Sequence, residues 1–138
     1  MGAPAHQLRE LLVMPQLILL VDDDPLIRSL GKELLEHLGY TVEAARDGRE
    51  ALEIYRRLGH ADLVILDYFL PDQDGLHILQ DLLALDPGVR VLMASGFFSP
   101  QEVERIKETG AAGFIYKPYR LAELENRILL VLQGMSGF

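Results

Sequence analysis

The sequence predicts an α/β fold, a doubly wound five-stranded parallel sheet assembled from five βα units. Three observations predict it. Short apolar runs without strict alternation recur along the chain, as expected of strands covered on both faces. Each run is followed by a stretch whose apolar residues repeat at helical spacing. Four of the runs stop at a residue able to do chemistry: Asp22, Asp67, Ser95 and Lys117.

The elements follow in order. Leu17 to Val21 is a fully apolar first strand that ends at three aspartates. Pro25 then opens a helix carrying Leu26, Leu30, Leu34 and Leu38, closed by Gly39. Proline suits the first helical position and glycine the position just past the end. Thr41 to Ala45 is a weaker strand, Asp47-Gly48 a turn, and Ala51, Ile54, Tyr55 and Leu58 mark the second helix. Leu63 to Leu66 is the third strand, ending at Asp67, and a loop from Tyr68 to Gly75 follows. Leu76, Leu79, Leu82 and Leu83 define a helix that stops near Asp86-Pro87-Gly88. Val89 to Ala94 is the fourth strand, ending at Ser95-Gly96, and Ser99-Pro100 caps a helix with Val103 and Ile106 inward and Gly110 at its close. Gly113 to Tyr116 is the fifth strand, ending at Lys117-Pro118, and Leu121, Leu124, Ile128 and Leu132 form the last helix. Right-handed crossovers turn this order into a sheet with helices on both faces.

The chain of 138 residues is one domain's worth of sequence. Residues 1–15 read as an N-terminal extension or linker, 16–133 as the domain, and 134–138 as a C-terminal tail. Leu8, Leu11 and Leu12 would give the extension one apolar side if it were helical. There is no cysteine, which excludes disulfides and thiolate chemistry. The net charge of −8 argues against direct contact with nucleic acid or anionic lipid. No apolar run approaches the roughly 20 residues of a membrane span, and the start lacks the pattern of a signal peptide. A cytoplasmic location is expected.

In doubly wound sheets the functional crevice lies outside the carboxyl ends of the strands. Asp22, Asp23, Asp67, Ser95 and Lys117 should therefore converge there. Three carboxylates within a few ångströms repel, and without a counter-ion one tends to stay protonated. A divalent cation resolves this, and carboxylate oxygens with room for water and phosphate oxygens suit Mg²⁺. The cluster reads as a metal site built to receive a phosphate. Asp67 can act as nucleophile toward a phosphoryl donor. Lys117 would give a point charge to a phosphate oxygen, and Ser95 a hydrogen bond to another. Asp24 and Asp72 read instead as solvated turn residues. His6, His37, His60 and His77 share no spacing and read as surface residues.

Four segments now stand in order, each at a strand end: Leu-Leu-Val-Asp22-Asp23-Asp24-Pro25; Leu66-Asp67-Tyr-Phe-Leu-Pro71-Asp-Gln-Asp-Gly75; Met93-Ala94-Ser95-Gly96; and Tyr116-Lys117-Pro118. With these the chain resembles the receiver domains of two-component response regulators over roughly Leu17 to Leu132. The resemblance implies the flavodoxin-like (βα)5 receiver fold, with Asp67 as phosphoacceptor. It implies Asp22, Asp23, Asp67 and the backbone carbonyl of Phe69 around Mg²⁺ (or Mn²⁺). Ser95 matches the switch hydroxyl, Lys117 the family's lysine, and Phe114 the switch aromatic, here without a hydroxyl; packing as an ordinary half-buried strand residue is the other role open to it.

The implied partner is a histidine kinase or a histidine phosphotransfer protein. Phosphorylation would reshape the face made by the fourth helix, fifth strand and fifth helix, toward an output partner the sequence does not name; a homodimer is compatible with this. The resemblance implies a signalling receiver, not an enzyme, catalysing only its own phosphorylation and slow dephosphorylation. Phe69 and Phe97, two residues beyond Asp67 and Ser95, flank the path of an attacking water and are expected to slow loss of the phosphate. With six residues after Leu132, no output domain is expected, and the chain reads as a stand-alone receiver or part of a hybrid kinase.

Other readings fare worse. A haloacid-dehalogenase-type phosphatase would carry a second acid where Phe69 stands. A flavodoxin proper would put a Ser/Thr/Gly-rich phosphate loop where Asp22-Asp23-Asp24-Pro25 stands. A docking-only pseudo-receiver would not need the acid pair, Asp67, Ser95 and Lys117 together.

Overall fold

The computed structural model describes residues 16–138. The expectation of a helical apolar side at Leu8, Leu11 and Leu12 lies outside the described residues, as does His6. Ten elements alternate strictly. They are β1 (Leu17–Val21), α1 (Pro25–His37), β2 (Thr41–Ala45), α2 (Gly48–Leu58) and β3 (Leu63–Asp67). The second half holds α3 (Gly75–Leu85), β4 (Val91–Ser95), α4 (Pro100–Thr109), β5 (Gly113–Tyr116) and α5 (Leu121–Leu132). The five strands form one sheet in the order β2-β1-β3-β4-β5, and every neighbouring pair is parallel.

The absence of alternation in the strands has a direct cause. Successive side chains point to opposite faces, and both faces are covered. Leu19, Val21, Val64, Leu66, Val91 and Met93 join Leu52, Tyr55, Leu79, Leu82 and Ile106 from α2, α3 and α4. Their neighbours Ile18, Leu20, Leu63, Ile65, Leu92 and Ile115 join Leu35, Leu124 and Ile128 from α1 and α5.

The apolar stripe of α1 is displaced from the expected one. Leu26 and Leu30 are 80% and 45% exposed, while Gly31 and Leu35 are buried. Gly31 takes the centre of the contact because a Cβ there would stand 2.9 Å from Leu20 Cδ2 and 3.2 Å from the Tyr119 ring. The fourth strand begins at Val91 rather than Val89: Val89 is buried but its N–H donates to Asp86 in the Asp86-Pro87-Gly88 turn. Residues 134–138 turn back onto the sheet, where Gly137 pairs in parallel with Gly113.

Caps fix the helix starts. Asp24, Asp47, Asp74 and Ser99 each accept from the first turn of the helix that follows. Ser99 and Glu102 form a reciprocal capping box. Asp24 and Asp72, expected as solvated turn residues, both have backbone partners. Asp72 accepts from the N–H groups of Gly48 and Arg49 at 3.1 and 3.0 Å, tying the loop after β3 to the start of α2.

Candidate functional site

The strand order reverses between β1 and β3, since β2 lies on one side of β1 and β3, β4 and β5 on the other. This switch point is where a doubly wound sheet opens a crevice. Val21 pairs with Leu66, so the next residues along, Asp22 and Asp67, stand side by side at its mouth. Asp67 pairs with Ala94 and Ser95 with Tyr116, which brings Ser95 and Lys117 to the same edge.

The two buried acids are held in the same way. Asp22 and Asp67 are 0% and 3% exposed. One oxygen of each accepts from the backbone N–H two residues on: Asp24 to Asp22 Oδ1 at 3.0 Å, and Phe69 to Asp67 Oδ1 at 3.2 Å. The other oxygen of each meets Lys117 Nζ, at 3.0 Å for Asp22 and 2.9 Å for Asp67. The short Asx-type turns at both strand ends orient the carboxylates, which is why Asp suits them. Arg28 on α1 donates to the Asp22 carbonyl at 2.8 Å and steadies the same turn. Asp23 is exposed at the rim, and one oxygen from each of Asp22, Asp23 and Asp67 lies within 4.8 Å of the others.

Charge is expensive here. Burial pushes the Asp67 carboxyl up to about 6; the hydrogen bond and charge of Lys117 pull against this, and the charge of Asp22 adds to it. Burial by itself would lower the pKa of Lys117, but its bonds to Asp67 and Asp22 outweigh that and hold the ammonium charged. Lys117 pairs with two of the three carboxylates and Asp23 stands beside them, so the site carries excess negative charge from hard oxygen donors. That donor set fits a hard divalent cation.

Gly75 makes the geometry possible. It opens α3, its N–H donates to the Tyr68 carbonyl at 2.8 Å, and a Cβ on it would stand 2.8 Å from both the Asp67 carbonyl oxygen and Tyr68 Cα. The loop after β3 can return across the strand end only without a side chain at that position.

Ser95 is buried at the end of β4, with its hydroxyl donating to the Phe97 carbonyl at 3.0 Å and accepting from the Phe97 N–H at 3.4 Å. It is thus engaged with its own loop. Phe69 and Phe97 are 63% and 69% exposed. Phe69 rests edge-on against Tyr68 with ring centroids 5.0 Å apart. Phe114 is half-buried among Phe98, Tyr116 and Phe138, with the Arg127 guanidinium 5.0 Å from its ring centre. Lys117-Pro118 is a cis peptide. His37, His60 and His77 are exposed. Sequence reasoning missed Arg28, Asp72 and Gly75, of which only the glycine carried a readable signal, as the residue closing the Asp67 loop.

Comparison with known proteins shows the family. The family model described as "Response regulator receiver domain" matches residues 18–129. The chain is 32% identical over 117 residues to the sensor kinase CckA of Brucella abortus, covering 84% of this chain but 12% of that protein. It is 30% identical to the chemotaxis protein CheY of Halobacterium salinarum, covering 86% of this chain and 98% of that one. Among solved structures, a chain of the CheX–CheY–BeF3–Mg²⁺ complex from Borrelia burgdorferi superposes with a TM-score of 0.82 at 30% identity, over 86% of this chain and 90% of that one. No helix among the described residues is long and apolar enough to cross a membrane.

Proposed function

This chain belongs to the family of response regulator receiver domains, and we propose on that basis that Asp67 is its phosphoacceptor in a two-component phosphorelay. The observation that carries this is the shared hold of Lys117 on Asp22 and Asp67 at the switch point of the sheet. It leaves a nucleophilic carboxylate, a fixed cation and a pair of metal-binding acids around one crevice.

The donor is a phosphorylated histidine of a kinase or phosphotransfer protein. An Asp67 carboxylate oxygen attacks the phosphorus in line, forming a P–O bond as the P–N bond breaks, and the imidazole leaves neutral after taking up a proton. Asp22, Asp23, Asp67 and the backbone carbonyl of Phe69 would hold Mg²⁺ or Mn²⁺, which when bound neutralises charge on the transferring oxygens. Lys117, already at Asp67, pairs with a phosphoryl oxygen. The excess negative charge of the three acids supports the metal assignment.

Ser95 would exchange its bonds to the Phe97 backbone for one to the phosphoryl group. Phe114 would follow it inward, reshaping the α4–β5–α5 face for an output partner. The active form must be sampled beforehand, since a modification shifts an equilibrium only by its differential affinity for the two states. Phe69 and Phe97 restrict the attacking water, so that hydrolysis of the acyl phosphate is slow. The self-catalysed phosphorylation from small donors, the cytoplasmic location and the lack of direct nucleic-acid or membrane contact belong to the same reading. So does a stand-alone or kinase-linked context, the chain spanning 12% of CckA but nearly all of CheY, and homodimer formation is a further part of it.

The test is titration with Mg²⁺ and beryllofluoride, followed by amide NMR. Saturable binding is expected in the wild type and none in Asp67→Ala. Equal binding by the variant, or none by the wild type, would exclude Asp67 as the acceptor.

A further inference from the structure

Residues 134–138 do not leave the domain after α5. Gly134 takes a φ of +78° and turns the chain back. The Gly137 N–H donates to the Ala112 carbonyl at 2.9 Å, and the Phe114 N–H to the Gly137 carbonyl at 3.4 Å. β5 is an edge strand, so these bonds occupy backbone groups that an edge leaves open to pairing. The approach requires glycine on both sides. A Cβ on Gly113 would stand 2.5 Å from the Gly137 carbonyl carbon, and one on Gly137 would stand 2.9 Å from Val131 Cγ2.

All three elements of the proposed output face hold this segment. From α4, the Lys107 ammonium lies 5.8 Å from the Phe138 ring centre. From β5, the Phe114 ring packs on Phe138 with centroids 5.9 Å apart. From α5, Arg127 donates to the Gly137 carbonyl while its guanidinium covers Phe114. Phe138 also ends a chain of aromatic contacts that begins beside Asp67. Tyr68 meets Phe98 at 5.7 Å, Phe98 meets Phe114 at 5.5 Å, and Phe114 meets Phe138.

We infer that residues Gly134–Phe138 are an internal ligand of the α4–β5–α5 face, seated on β5 and Phe114 while Asp67 is unmodified and released when it is phosphorylated. The inference rests on the proposed phosphoacceptor role of Asp67. Any rotation of Phe114 away from its present position breaks its contacts with both Phe138 and Arg127, so the segment binds one switch state better than the other. By linkage it then holds the domain in that state and weakens binding at Asp67. Its position on the open edge of β5 also puts it in competition with any partner that adds a strand there or docks on Phe114. Being tethered directly to α5, it competes at high effective concentration. Phosphorylation would thus do two things at one place, reshaping the face and uncovering it.

The test compares the full chain with Phe138→Ala and Gly137→Val, which loosen the segment in independent ways, and uses Asp67→Ala as control. Beryllofluoride affinity and Gly137 amide hydrogen exchange are read together. In the wild type, saturation with Mg²⁺ and beryllofluoride should speed Gly137 exchange by about tenfold or more. Both variants should bind beryllofluoride about three- to tenfold more tightly, the range an aromatic contact supplies. Binding that depends on Asp67, with Gly137 protection unchanged and the variants binding as wild type, overturns the inference and leaves the phosphoacceptor reading standing. No binding by any form overturns that reading and the inference with it.

Discussion

Lys117 Nζ lies 2.9 Å from Asp67 Oδ2, and the same ammonium reaches Asp22 at 3.0 Å. One cation thus bridges two buried acids, and a bound metal would have to share them with it. Replacing Lys117 by Met should cost the ion-free protein about 3 kcal/mol, as expected when one partner of a buried pair is removed. The same change should strengthen Mg²⁺ binding, because the competing charge is gone. Urea unfolding with and without Mg²⁺ checks both effects. A loss of stability that Mg²⁺ fails to recover would make Lys117 a support of the fold and not a counter-charge of the site.

The Asp67 carboxyl, pushed up to about 6 by burial, gives the site a definite pH dependence. The folded form holds this proton more tightly than the unfolded chain, where the ordinary value is 3.8. The stability the group contributes is therefore complete below about pH 4 and is lost as pH rises through about 6, by up to about 3 kcal/mol. Asp67→Asn should remove that slope, which unfolding curves for both proteins between these pH values would reveal. A metal needs the deprotonated carboxylate, so apparent Mg²⁺ affinity should fall about tenfold per pH unit below 6 and level off above it.

Phe69 occupies the place, two residues beyond Asp67, where a haloacid-dehalogenase-type phosphatase would carry its second acid. The wild-type acyl phosphate should outlast that of Phe69→Asn by about tenfold, less than a fully positioned general base contributes. The half-life after removal of excess small phosphodonor is the measurement. A wild-type lifetime equal to or shorter than the variant's would remove Phe69 from this role, and its 63% exposure makes the outcome informative.

Tyr119 is buried between α1 and the sheet, and its hydroxyl has no hydrogen-bond partner among the described residues. Burial, with the nearby charges of Asp22 and Asp67, raises its pKa and keeps it protonated. Tyr119→Phe should therefore stabilise the protein by about 1 kcal/mol, the cost of desolvating a group that gains nothing in return. Thermal unfolding tests this. A fall in Tm would mean that the hydroxyl is satisfied in solution.

The sheet was legible because parallel strands buried on both faces write themselves as uninterrupted apolar runs, and Asp22, Asp67, Ser95 and Lys117 because each ends one of them. Contacts between elements were harder to read. Leu26 and Leu30 look like an inward stripe, yet α1 turns Gly31 to the sheet, since close packing on Leu20 and Tyr119 outweighs apolar spacing. Asp72 resembles any loop acid until the fold brings it to Gly48 and Arg49. The hydroxyl of Ser95 is engaged with the Phe97 backbone, a local loop contact that residue type alone does not announce. Residues 134–138 contain no periodic pattern, and their seat on β5 depends on two glycines 24 positions apart in the sequence.

Gly75 carries a consequence for reading variation in this domain. It brings no side chain to the crevice, yet any side chain there must displace the backbone at Asp67 itself. In a saturation library scored for phosphorylation, Gly75 should be as intolerant as the proposed acceptor, Gly75→Ala included, while exposed Gln80 on the same helix accepts many replacements. A map of intolerance drawn without coordinates would then count Gly75 among the reacting groups, although its whole contribution is the absence of a methyl.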